Sequence, residues 1–124
     1  RAVIVNWGSN APILAVDLST GRLSTLVKDT GLGNLDGIDM DAGGNFYVSS
    51  WTPARITKFN NDFSQSSVVV EGADAGLFNP ADISYSLQTK TLGVANRGNS
   101  TPSFYYFGDQ QALPQPSDDA VSSN

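Results

Sequence analysis

The chain has 124 residues, 40% of them apolar, and a net charge of −5. That is length enough for a domain-sized core, and its acidity argues against nucleic acid, whose phosphates need a basic stripe. Cysteine and histidine are both absent, which excludes disulfides, thiol nucleophiles, thiolate or imidazole zinc sites, and every triad with a histidine base.

The chemistry that remains belongs to carboxylates, amides, hydroxyls, Tyr, Lys and Arg. Their oxygen donors suit calcium or magnesium if a metal is bound. No apolar run approaches the ~18 residues of a membrane helix. The sequence opens on Arg1, with neither a methionine nor a signal-peptide pattern, as expected of a processed or trimmed chain. Absence of cysteine leaves the redox compartment open.

Short apolar-alternating runs recur between glycine- and asparagine-rich turns, and no segment holds a helical period. Residues 2–7, 13–18 and 23–28 read as three strands, with Ser19-Thr20-Gly21 turning the chain between the last two. Next comes Gly31-Leu32-Gly33-Asn34-Leu35-Asp36-Gly37-Ile38, which returns as Gly76-Leu77-Phe78-Asn79-Pro80-Ala81-Asp82-Ile83, an offset of 45 residues. A period of that size marks a stacked or radial repeat, whose units need neighbours to bury their faces. Within the first copy, Ile38 and Met40 face one way and Asp39 and Asp41 the other. Asp41-Ala42-Gly43-Gly44-Asn45 makes a hairpin turn into a second strand, 46–51. Residues 55–59 form a third strand and 66–71 a fourth, separated by Asn60-Asn61-Asp62.

Four antiparallel strands in about 45 residues is the unit of a β-propeller. Behind it, 81–86, 91–96 and 103–107 read as the first three strands of the next unit, and the leading three strands as the last three of the preceding one. The predicted fold class is all-β: a partial propeller over 1–108, with blade parts 1–30, 31–75 and 76–108, or about two and a half blades. Ten strands cannot close a ring of four to eight four-stranded blades. The expected partners are therefore the remainder of a parent propeller or identical chains. From Asp109 onward the Gln-, Pro- and Ser-rich composition predicts a disordered tail or linker over 109–124.

In a propeller the first strand of each blade lines the central channel. Asp36-Gly37 stands at the start of that strand in the middle blade, and Ala81-Asp82 in the next. The run from Asp36-Gly37-Ile38-Asp39 through Gly44-Asn45-Phe46-Tyr47-Val48, with Arg55-Ile56 behind it, resembles the NHL-repeat blade pattern. Its Asp-Gly pair ahead of the strand resembles the gluconolactonase-like family (senescence-marker-protein, regucalcin-like). The segment Ile13-Leu14-Ala15-Val16-Asp17-Leu18-Ser19-Thr20-Gly21-Arg22-Leu23 is similar to that family's third strand and turn.

The resemblance implies a six-bladed ring. In the lactonase-like case it also implies a divalent cation, Ca2+ or another, held in the channel by acidic and amide side chains from several blades. Asp36 is the position that matches a metal ligand and candidate catalytic residue; the Glu and Asn of the family's earlier blades would lie ahead of Arg1. Such a cation would polarise a lactone carbonyl, with Asp36 binding it or activating water. The alternative for Asp36-Gly37 is an ordinary turn.

Other candidates lie where second strands end. Trp7 and Trp51 occupy matching places, suited to packing between blades or to stacking on a ring-bearing ligand. Arg97 falls at the same place in the third unit and breaks the aromatic pattern. Asn6, Ser50 and Asn96 align one residue earlier, as hydrogen-bonding groups within their blades or contacts for a small polar ligand. Asp39, Asp41 and Gly44 hint at a calcium loop, but Gly43 and Ser50 stand where it needs oxygen ligands. Asn99-Ser100-Thr101 matches a glycosylation acceptor. Two functions follow: an extracellular or periplasmic binding and scaffolding propeller without its own catalysis, or a metal-dependent lactonase-type hydrolase.

Overall fold

The computed structural model describes residues 1–108, and the expected tail over 109–124 lies outside the described residues. Ten strands form three antiparallel sheets. The first sheet holds β1 (Ala2–Val5), β2 (Ile13–Val16) and β3 (Leu23–Val27). The second holds β4 (Gly33–Met40), β5 (Phe46–Thr52), β6 (Ala54–Phe59) and β7 (Ser66–Glu71). A single 3-10 turn, Ala73–Ala75, leads to the third, made of β8 (Pro80–Ser86), β9 (Thr91–Asn96) and β10 (Thr101–Tyr106). Strand order follows chain order within every sheet, as a meander requires and a propeller blade shows.

The repeated octapeptide has a conformational cause. Asn34 and Asn79 take φ values of 55° and 50°, a left-handed geometry that asparagine tolerates better than most side chains. Each precedes a bulge, between Leu35 and Ile38 in one copy and between Pro80 and Ile83 in the other. The inner strand thus begins well ahead of Ile38, and Asp36-Gly37 lies inside β4, at its bulge, rather than in a turn. At the far end of β4 the hairpin is tied by Asp41. Its Oδ1 accepts the N–H groups of Gly43 at 2.9 Å and Asn45 at 3.0 Å, and its Oδ2 accepts the Tyr47 hydroxyl at 2.8 Å. This is the buried carboxylate of an Asx turn.

Alternation places apolar residues on both faces of the middle sheet, so each face needs a cover. One core joins the first and second sheets through Ala11 and Ile13 against Leu32, Leu35, Val48, Phe59 and Phe63. The other joins the second and third through Tyr47, Ile56 and Val70 against Leu77, Ile83, Tyr85, Leu92 and Val94. Tyr47 stacks on Tyr85, with ring centroids 5.7 Å apart, and on Phe107 at 5.3 Å. Fully burying each such side chain is worth ~1.5–3 kcal/mol, which makes these two interfaces the main source of stability.

Along the inner strands the sheets meet backbone to backbone. A Cβ on Gly37 would lie 2.8 Å from both the Ala81 carbonyl oxygen and the Ile83 nitrogen. The Ser49 hydroxyl accepts the Gly37 N–H at 2.8 Å and donates to the Ala81 carbonyl at 2.7 Å, and the Tyr85 N–H donates to Asp39 Oδ2 at 2.6 Å. Gly37→Ala should therefore force β4 and β8 apart and cost about 1–3 kcal/mol, read as a lower urea midpoint at unchanged slope.

Candidate functional site

The inner strands β4 and β8 carry Asp36 and Asp82, both exposed. Partial burial holds the Asp36 carboxyl above its ordinary value, and the negative charge of Asp82 raises it further. Asp82 Oδ1 accepts the N–H of Ile83 at 3.0 Å. Among the described residues Asp36 has neither a hydrogen bond nor an ion pair from its side chain. Two carboxylates from adjacent blades are thus close enough for their charges to interact, and among the described residues neither is in an ion pair. The described residues contain no group of three His, Cys, Asp or Glu placed to hold an ion; calcium takes ~6–8 oxygens.

One strand further out, the ends of the second strands form a row that crosses all three sheets. Trp7 and Trp51 meet edge to face, their centroids 4.8 Å apart and their planes at 80°. The Arg97 guanidinium carbon lies 5.8 Å from the Trp51 ring centroid, within cation–π range. Arg97, expected to interrupt the row, extends it. Trp7 is 58% exposed. Among the described residues Arg97 has no carboxylate partner, while Arg55 is paired with Glu71. Among the described residues the buried Trp51 Nε1 has no acceptor. Because paired strands run antiparallel, the row and the Asp36–Asp82 pair lie at the same end of the blades: Leu35 is level with Ser50 and Gly33 with Thr52.

Asn6, Ser50 and Asn96 use their polar groups internally. The Asn6 Nδ2 donates to the Pro12 carbonyl at 3.0 Å, the Ser50 hydroxyl to the Pro53 carbonyl at 2.7 Å, and the Asn96 Nδ2 to Ser103 Oγ at 2.9 Å. Asn96 Oδ1 also accepts the Phe78 N–H. In each case a side chain at the end of the second strand holds the loop or strand beside it. Ser49 and Asp39 bridge two blades. The sequence reading did not single out Ser49, and it set Asp39 in a hinted calcium loop rather than in a contact between blades.

No family model matches the chain, and no curated protein matches it. Among solved structures it is similar to a nidogen/laminin complex, at 23% identity and a TM-score of 0.64, over 77% of this chain and 35% of that one. The chain therefore spans about a third of the length of its structural neighbour. The likeness is one of fold: this chain is a partial β-propeller, three sheets of a radially stacked array.

The raised Asp36 value has a thermodynamic consequence. The folded chain holds this proton more tightly than the unfolded chain does, so the associated stability is complete below the ordinary value of 3.8 and is lost as pH rises through the raised value. Asp36→Asn should match the parent in strong acid and exceed it modestly above that window, as measured by urea unfolding from about pH 3 to pH 7.

Proposed function

We propose that this chain is the ligand-facing part of a binding and scaffolding β-propeller, with six blades in the complete ring and an extracellular or periplasmic location. The carrying observation is the Trp7–Trp51–Arg97 row, an exposed indole, a shielded indole and an unpaired guanidinium on one rim. Aromatic and arginine side chains are the residue types that dominate binding energy in interfaces. An otherwise acidic chain with a lone cation on an aromatic platform suits an acidic segment of a partner that also offers an apolar or ring-bearing group. Likeness to a structure that is itself a protein–protein complex supports the same reading at the level of fold, and fold alone does not decide function.

Peptides selected by phage display on the immobilised chain test it. Enriched sequences should carry Asp or Glu beside an aromatic or apolar residue, and their binding should weaken tenfold or more on Trp7→Ala and on Arg97→Ala, with unchanged circular dichroism. Selection that proceeds equally well on the double variant would remove the rim from the site.

A second reading follows from the Asp36–Asp82 pair. The two carboxylates offer the hard oxygen ligands that a calcium ion prefers, and the remaining ligands would come from blades outside this chain or from water. A resident cation there would supply Lewis-acid polarisation to a lactone-type substrate, while Asp36 and Asp82 would orient it in the channel. Calcium titration followed by thermal unfolding separates the two functions. A rise in Tm that Asp36→Asn abolishes favours the cation, and a flat titration of the complete ring, together with no lactone turnover, excludes the hydrolase.

A further inference from the structure

The two seams between the sheets close differently at their outer ends. Eight residues, 72–79, link β7 to β8 and include the 3-10 turn Ala73–Ala75. Only five, 28–32, link β3 to β4, without a helical turn. The longer link is tied to the third sheet: the Gly76 and Ala75 carbonyls accept the hydroxyls of Ser103 at 2.8 Å and Tyr105 at 2.7 Å. Thr57 holds the place of Ser103 one blade earlier. It pairs with Val48 and through it with Ile38, as Ser103 pairs with Val94 and through it with Ile83. Phe59, two residues on, stands where Tyr105 stands and has no hydroxyl to give. Gly31 is the repeat counterpart of Gly76, but a Cβ there would meet nothing within 4 Å, whereas on Gly76 it would lie 3.2 Å from both hydroxyl oxygens.

The seam between the first and second sheets is thus left with a groove of about 220 Å³. All its lining residues lie between Val27 and Val68, away from either end of the sequence. Leu32, Phe59, Phe63 and Val68 make apolar walls. Thr57, 5% exposed, also lines it, and its buried Oγ1 has no hydrogen-bond partner among the described residues. A hydroxyl shut away from water opposes stability until a partner reaches it.

We infer that this groove binds a small neutral ligand, which brings an amide carbonyl to the Thr57 hydroxyl and lays an apolar group against Phe59 and Phe63. The other seam supplies the chemistry, because there the same position is met by the main-chain carbonyls of Ala75 and Gly76. Neutrality follows from the mouth, where both charged groups are engaged: Asp29 accepts from Asn10 Nδ2 at 2.9 Å, and Arg55 donates to Glu71. A neutral amide of this size has two sources, a tight turn of small residues in a partner polypeptide or an acetamido group on a sugar. The inference rests on neither the rim row nor the acidic pair, whose residues lie outside the groove.

NMR titration of the isotopically labelled full chain tests it. The peptide probe is an N-acetylated, C-amidated Gly-Ala-Ala-Gly, the sugar probe is N-acetylglucosamine, and glucose and acetate are the controls without a neutral amide. Saturable shifts at Thr30, Thr57 and Val68 are expected with at least one probe, and the arm that saturates at lower concentration names the source. Thr57→Ser should keep that binding. Thr57→Val should weaken it at least tenfold while its Tm stays at or above the parent's, because the change removes a hydroxyl that has no partner. Absence of shifts at millimolar probe, equal shifts with glucose or acetate, or equal binding by the valine variant overturns the inference. So does a crystal structure of the probe-soaked chain in which one ordered water, undisplaced, holds the Thr57 hydroxyl.

Discussion

The whole arrangement depends on how closely β4 and β8 approach. Two inner strands from separate sheets come within backbone contact at Gly37, where no side chain fits. That contact fixes the distance between the second and third sheets. It also sets the register in which Tyr47 stacks on Tyr85 and Phe107, and it brings Asp36 and Asp82 near enough for their charges to interact. The hydroxyl of Ser49 secures it by accepting from one strand and donating to the other. A hydroxyl used in both directions satisfies its own donor and acceptor, which is the condition for a polar side chain to be buried at little cost.

Stacking sheets in this way separates two tasks along each strand. Most side chains between the blades are apolar and carry stability; those at the ends of strands stand at the rim. The rim row spans both roles. Trp51 is shielded by Trp7 and capped by Arg97, so it rigidifies the edge of the array while Trp7 stays 58% exposed. The acidic pair is different. Like charges held close in a partly desolvated place oppose stability, and a fold that keeps them there gains an attraction for cations, whether a metal ion or the cationic side chain of a partner.

Much of this was legible in the residues. The 45-residue echo and the alternation of apolar positions give the blade and its strand number, because sheet periodicity and turn chemistry are local properties. The hairpin at Asp41–Asn45 was legible for the same reason. The tryptophans were legible as a matched pair, since equal places in successive blades must be neighbours in space. Less legible was the role of Arg97: a cation in an aromatic column reads as an interruption until the guanidinium is found lying over a ring. The bulge that draws Asp36-Gly37 into β4 was hidden as well, because it is a shift in the pairing of β4 with β5, two strands whose register the local sequence does not show.

The sequence by itself determined the blade: its strands, its turns, its period and the acidic, histidine-free set of groups available for chemistry. All of these follow from nearest-neighbour sterics and from which side chains avoid water. Only the tertiary structure decided which blades touch and what that contact does. It placed Ser49 and Asp39 in the seam, directed Asn6, Ser50 and Asn96 inward, and joined Arg97 to the tryptophans. Those outcomes depend on distances of a few ångströms between residues far apart in the chain, and local propensity does not encode such distances.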